Sequence, residues 1–273
     1  LEWAGNQYLH ALDLDDPAIM AEADTTATQL TGASYIGLHG GLALGSSGAS
    51  DNKRFYAHAG ALNGSSAWTD LKNDFFNALP NPLYQGFGDL WVEDAVPGGP
   101  PAVMWISATG DEGNAVMIRC EGADAASLKS QAASCVEHEV PEGGNIPTIG
   151  ELGPLVGQQT CLGTVCTTRV VVSSWMAAGV ASPSSLAIIH FFDAKYTSSD
   201  DPLDLTWNHG PGLPTDGVDS VGNINSQVTE IVHAGSGRFL AVGTEAFSRA
   251  WQDGQPWGPV DHSSSGQYDY NGA

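Results

Sequence analysis

The 273-residue sequence predicts an all-β fold: an array of about five to seven blades of short antiparallel strands, held by two disulfides. Three observations lead there. Charged residues make up only 15% of the chain, while glycine contributes 34 residues and proline 15, so turns are frequent and an ordinary 42% hydrophobic content remains to fill a core. Short runs of apolar alternation, each opened by small or polar residues, recur at later intervals of about 50 residues. The four cysteines fall as two local pairs, Cys120 with Cys135 and Cys161 with Cys166, the simplest of the three connectivities that four cysteines allow. Cys161 and Cys166 lie five apart with no histidine or second close pair beside them, a spacing that does not suit zinc.

Taken in order, the runs are GNQYLHALDL from Gly5, GGLALGSSG from Gly40, GDLWVEDAV from Gly88, SSLAIIHFF from Ser184 and GRFLAVGTE from Gly237. The gap between Gly88 and Ser184 leaves room for one more degenerate copy. Behind the later runs come second strand-like segments and turns that carry an aromatic: RFYAHAGALNGSSAW, AVMWISATGDEGN, AKYTSSDDPLDLTW and AFSRAWQDGQPW. Successive residues of a strand face opposite sides, so each unit carries two faces that only neighbouring units can cover. Residues 1–262 therefore read as a single β-propeller-like domain. The tail SSSGQYDYNGA, 263–273, reads as a flexible end or a closing segment.

Nine Lys and Arg against 31 Asp and Glu give a formal charge of −22. Such a surface repels phosphate backbones and anionic lipids and attracts cations. No run is long and apolar enough to span a bilayer. The sequence opens at Leu1 with no basic n-region or apolar h-region, which suggests a processed form or a fragment. With paired cysteines, the expected setting is secreted, periplasmic or cell-surface.

The C-terminal stretch VTEIVHAGSGRFLAVGTEAFSRAWQDGQPW resembles the bacterial neuraminidase repeat, or Asp-box, class of β-propeller blades, in which a strand ending in AVG precedes an Asp-Gly turn and a tryptophan. Asp253, Gly254 and Trp257 match those positions, and Ser198, Asp200, Thr206 and Trp207 look like a stretched second copy lacking the glycine. The resemblance implies scaffold roles, with Asp200 and Asp253 fixing turns and Trp207 and Trp257 packed between sheets.

Such a scaffold invites comparison with sialidases, which need clustered arginines, a tyrosine nucleophile and a carboxylate partner. Arg54, Arg119, Arg169, Arg238 and Arg249 are scattered singly, and the acidic pairs Asp15-Asp16, Asp111-Glu112 and Asp200-Asp201 are expected in turns of so acidic a chain. No nucleophile elbow, phosphate loop or dinucleotide fingerprint is present, so no catalytic role is evident. Calcium is a possible loop ligand at DLDDP (Asp13), TGDEGN (Thr109) and TDGVDSVGNIN (Thr215), which offer carboxylates and carbonyls without EF-hand spacing.

Of the eight histidines, His10 and His190 lie within apolar runs, and His209 stands apart. It follows Trp207 by two residues and precedes Gly-Pro-Gly, so the two side chains share a face if the segment is extended. Trp207-Asn208-His209 resembles a motif of the surface-associated copper-binding proteins of methane-oxidising bacteria, of the MopE and CorA type. There the tryptophan is oxidised to kynurenine and its freed amine binds copper with two histidines. The resemblance implies copper at Trp207, His209 and a downstream histidine, His262 in WGPVDHSSSG, with His233 in EIVHAG the alternative. Imidazole suits copper, and ring opening turns a donor-only indole N–H into an amine with a lone pair. The sequence thus favours a secreted or cell-surface copper-binding protein. The alternatives are a propeller module binding a glycan or protein through exposed aromatics such as Trp91, Trp105 or Tyr268, and a glycosidase-like catalytic propeller.

Overall fold

The computed structural model describes residues 2–3, 6–9, 28–30, 34–39, 42–46, 54–58, 68–80, 83–111, 113–128, 134–139, 149–176, 187–196, 204–208, 228–243, 247–252 and 261–262. Strands β1 (Glu2–Trp3), β2 (Asn6–Leu9) and β3 (Thr28–Leu30) form a three-stranded antiparallel sheet. Four four-stranded sheets follow, each a meander in which every strand lies beside its sequence neighbour. The second sheet holds β4 (Ser34–His39), β5 (Leu42–Ser46), β6 (Arg54–His58) and β7 (Trp68–Asp70), and the third holds β8 (Gly86–Glu93), β9 (Ala102–Thr109), β10 (Ala115–Gly122) and β11 (Ser134–Glu139). The fourth holds β12 (Ile149–Leu162), β13 (Val165–Met176), β14 (Ala187–Tyr196) and β15 (Asp204–Asn208). The fifth holds β16 (Val228–His233), β17 (Arg238–Gly243), β18 (Phe247–Gln252) and β19 (Asp261–His262). Two short helices, α1 (Lys72–Ala78) and α2 (Ala125–Leu128), complete the described elements.

The sheets pack through their first strands: β4 lies against β8, β8 against β12, and β12 against β16. Each of these strands has a register shift near its start, between Tyr35 and Gly37, Phe87 and Asp89, Ile149 and Glu151, and Val228 and Glu230. A bulge bends a strand and sharpens its twist. Behind the bulges stand Gly37-Leu38, Asp89-Leu90, Glu151-Leu152 and Glu230-Ile231, so the repeat unit has a fixed starting point.

The recurring runs in the sequence do not share that starting point. GGLALGSSG contains β5, GDLWVEDAV lies on β8, SSLAIIHFF enters β14 and GRFLAVGTE covers β17, respectively second, first, third and second strands of their sheets. The gap between Gly88 and Ser184 holds the rest of the third sheet and two strands of the fourth. A short apolar run marks a covered strand wherever that strand stands in its sheet, so it does not rank strands within a sheet.

Both faces of the third sheet are covered, and β9 is buried along its whole length. On one face Leu90, Val92, Met104, Ile106, Val116 and Ile118 join Leu42, Leu44 and Phe55 of the second sheet and Phe75 and Leu79 around α1 in one apolar core. Phe55 stacks on Phe75 with centroids 3.8 Å apart, and the Leu71 N–H donates to the Phe55 carbonyl at 2.8 Å, docking α1 on β6. The other face turns toward the fourth sheet. Both disulfides join residues directly opposite on adjacent strands, Cys120 with Cys135 across β10 and β11 and Cys161 with Cys166 across β12 and β13. The expected local pairing is therefore the one adopted. Among the described residues no helix is long and apolar enough to cross a membrane.

Candidate functional site

Of the sequence-derived metal residues, Trp207 and His262 lie on the fourth strands of the fourth and fifth sheets. Trp207 is the fourth residue of β15, paired with Phe192 on β14, and His262 is on β19, paired with Phe247 on β18. His209 follows the last residue of β15 and lies outside the described residues, as do Asp200, Asp253, Gly254, Trp257 and Tyr268. His233 ends β16, a first strand, where its ring is half-buried 5.0 Å from Phe239. Burial holds its pKa below the usual histidine value, which keeps the imidazole neutral. Its Nε2 is buried without a hydrogen-bond partner among the described residues. Among those residues no group of three or more His, Cys, Asp or Glu is arranged to hold a metal.

Of the calcium candidates, only the Thr109 turn falls among the described residues, Glu112 excepted. It is closed by its own backbone, the Gly110 N–H donating to the Asn114 carbonyl at 2.8 Å, and the Asp111 carbonyl accepts from Gln85 Nε2 at 2.7 Å. The Asp13 and Thr215 loops lie outside the described residues.

Two aromatic residues expected as exposed platforms are not available as such. Trp105 is 1% exposed, because β9 is covered on both faces. The Trp91 ring is half-buried against the β12 backbone, so close that a Cβ on Gly157 would come within 2.3 Å of it. Arg54, Arg119 and Arg169 lie on three different sheets, and Arg238 and Arg249 lie on adjacent strands of the fifth. Arg119 packs over the Trp105 ring at 5.5 Å and pairs with Glu121, while Arg238 Nε donates to Gln252 Oε1 at 3.0 Å.

What the structure adds is a polar seam between the third and fourth sheets. On β8, Asp89 Oδ1 accepts the Leu90 N–H at 2.7 Å, and Oδ2 accepts the Leu155 N–H at 2.9 Å from the neighbouring sheet. On β9 the Ser107 hydroxyl donates to the Gly153 carbonyl at 2.7 Å. Two residues of one sheet thus satisfy an amide and a carbonyl that the second bulge of β12, between Leu152 and Leu155, withdraws from its own ladder. Further along, the Glu93 carboxylate accepts the Thr168 hydroxyl at 2.5 Å and the Gln159 side-chain amide.

Burial pushes the Asp89 pKa up to about 8, against the pull of the Leu155 and Leu90 amides and with help from the charge of Glu230. Burial likewise raises Glu93, opposed by its bonds to Thr168, Gln159 and Trp105 and by the Arg119 charge. It also raises Glu230, opposed by the Ile231 N–H. Asp89 therefore holds its proton at neutral pH. His138, near Trp105 on the same face, is held low by burial and by the Arg119 charge. The sequence reading passed over the seam, although an acid followed by Leu or Ile at Asp89, Glu151 and Glu230 was a signal available to it.

No known protein family matches the chain, and no curated protein and no solved structure shows significant similarity to it.

Proposed function

We propose that the chain is a β-propeller-like binding protein of an oxidising compartment and that its ligand is a copper ion held by Trp207, His209 and His262. The observation that carries the copper assignment is the Trp207-Asn208-His209 motif at the end of an edge strand, with His262 on the edge strand of the next sheet. His233 is the less suitable partner, since it ends a first strand and packs beside Phe239.

The propeller reading is supported by three regularities: successive first strands pack on one another, each is bulged near its start, and both Asp-box-like turns join the third strand of a sheet to the fourth. Two disulfides suit an oxidising setting. A glycan- or protein-binding module on the same scaffold would have to use another aromatic such as Tyr268, since Trp105 is buried and Trp91 packs against Gly157.

For Trp207 to become a ligand, dioxygen must cleave the indole double bond and water must release the formyl carbon as formate, leaving kynurenine with a free aromatic amine. The residue then gains one oxygen and loses one carbon. Metal analysis of protein from its native source, with peptide mass spectrometry across Lys195 to Arg238, tests this directly. Stoichiometric copper and a converted Trp207 are expected. A copper-free protein with an intact tryptophan refutes the assignment.

A further inference from the structure

The two disulfides occupy opposite environments. Cys120 is fully buried in the apolar core and Cys135 packs against it. Cys161 is exposed, at the tip of the β12–β13 hairpin, where residues 160–165 are all exposed and Leu162 reaches 87%. The tip turns through Gly163 and Thr164, with Gly163 at φ 66, as a two-residue hairpin turn with glycine first requires. Its sequence, TCLGTVCT from Thr160 to Thr167, carries no charge in a chain of formal charge −22, so an approaching thiolate meets less repulsion there than elsewhere.

We infer that Cys161–Cys166 is a thiol–disulfide exchange site for a dithiol, and that Cys120–Cys135 is a structural bridge beyond the reach of the same reagent. Exchange needs an in-line approach of a thiolate to one sulfur, and Cys161 offers that access. The attacking thiolate bonds to Cys161 Sγ, the Sγ–Sγ bond breaks, and Cys166 leaves as a thiolate that takes a proton from water. The second thiol of the reagent then attacks its own sulfur in the mixed disulfide and releases Cys161. Two electrons pass to the protein and the dithiol closes into a disulfide.

Cys166 is only 1% exposed and stays beside its partner. It therefore returns to displace a monothiol, so a monothiol opens the bridge poorly where a dithiol opens it fully. The hairpin survives opening because β12 and β13 remain paired from Thr160 and Thr167 back to Ile149 and Met176. The bridge also closes a much shorter loop than its counterpart, with a sequence separation of 5 against 15.

The intact protein is treated under native conditions with dithiothreitol or with glutathione at matched thiol concentration, quenched in acid, alkylated and mapped by peptide mass spectrometry, with circular dichroism recorded in parallel. Dithiothreitol is expected to label Cys161 and Cys166 at least tenfold faster than Cys120 and Cys135, with unchanged strand signal, and glutathione to label them at least tenfold less. Equal labelling of all four cysteines, prior labelling of Cys120 and Cys135, or labelling only on loss of strand signal overturns the inference. A Cys161→Ser/Cys166→Ser double variant is expected to keep the strand signal and to show no native-state labelling. Rapid labelling of its remaining pair would equally overturn the assignment of Cys120–Cys135 as inaccessible.

Discussion

Replacing Asp89 with asparagine tests the physics of the inter-sheet seam. The wild-type carboxyl ionises at about 8 in the folded protein against an ordinary 3.8, so the folded state binds the extra proton throughout that interval. Stability from this group is fully present below the ordinary value and is lost as pH rises through the folded one. The gap corresponds to a ceiling of roughly 6 kcal/mol at about 1.36 kcal/mol per pKa unit, reduced in practice as water enters the seam. Between pH 7 and 9 the same relation gives a loss on the order of 1 kcal/mol.

Asparagine cannot ionise, so Asp89→Asn removes that slope. It also sets an amide NH2 against the Leu155 N–H that Oδ2 accepted, a donor facing a donor, which costs about 1–3 kcal/mol at every pH. Urea unfolding followed by tryptophan fluorescence at pH 6, 7, 8 and 9 separates the two effects. The variant should be less stable at pH 7, and its deficit should shrink by an amount on the order of 1 kcal/mol by pH 9. A constant deficit across this range would show that Asp89 ionises normally and that the seam is wet.

Three further expectations concern packing, the seam and the metal. Gly157→Ala drives a Cβ into the Trp91 ring and should cost about 1–3 kcal/mol, whereas Gly86→Ala, with no atom within 4 Å of the new Cβ, should stay within about 0.5 kcal/mol in the same urea assay. Equal effects would mean that Trp91 swings aside freely. Thr168→Val removes a donor from buried Glu93 and should lower stability by about 1–3 kcal/mol, while an unchanged urea midpoint would show that Glu93 finds water instead. For copper, His209→Ala should weaken retention on dialysis at least about tenfold and His233→Ala should leave it unchanged; the reverse pattern would move the site onto β16.

Much of the strand content was legible because its causes are local. Leu90-Trp91-Val92 is the short apolar run of a strand covered on both faces, and the hairpin tip at Gly163-Thr164 brings Cys161 and Cys166 opposite each other. The order of strands within a sheet was not legible, since a second strand such as Arg238–Gly243 and a first strand such as Gly86–Glu93 carry the same apolar pattern. The exposure expected for Trp105 failed for a related reason. Its neighbours Met104 and Ile106 announce one buried face, but only the arrival of the fourth sheet buries the other.

The sequence by itself determined an acidic, turn-rich, all-β chain with locally paired cysteines, because composition, alternation and short spacing act within one hairpin. It also singled out Trp207 and His209, since a motif needs no knowledge of the fold. Only the tertiary structure decided that Asp89 and Ser107 of one sheet would close the bulge of the next, that Glu93 would be met by Thr168 and Gln159, and that Gly157 would be pressed against Trp91. Each of those contacts joins residues dozens of positions apart. Burial between two sheets, which no single strand contains, is what raises the carboxyl pKa values along that seam.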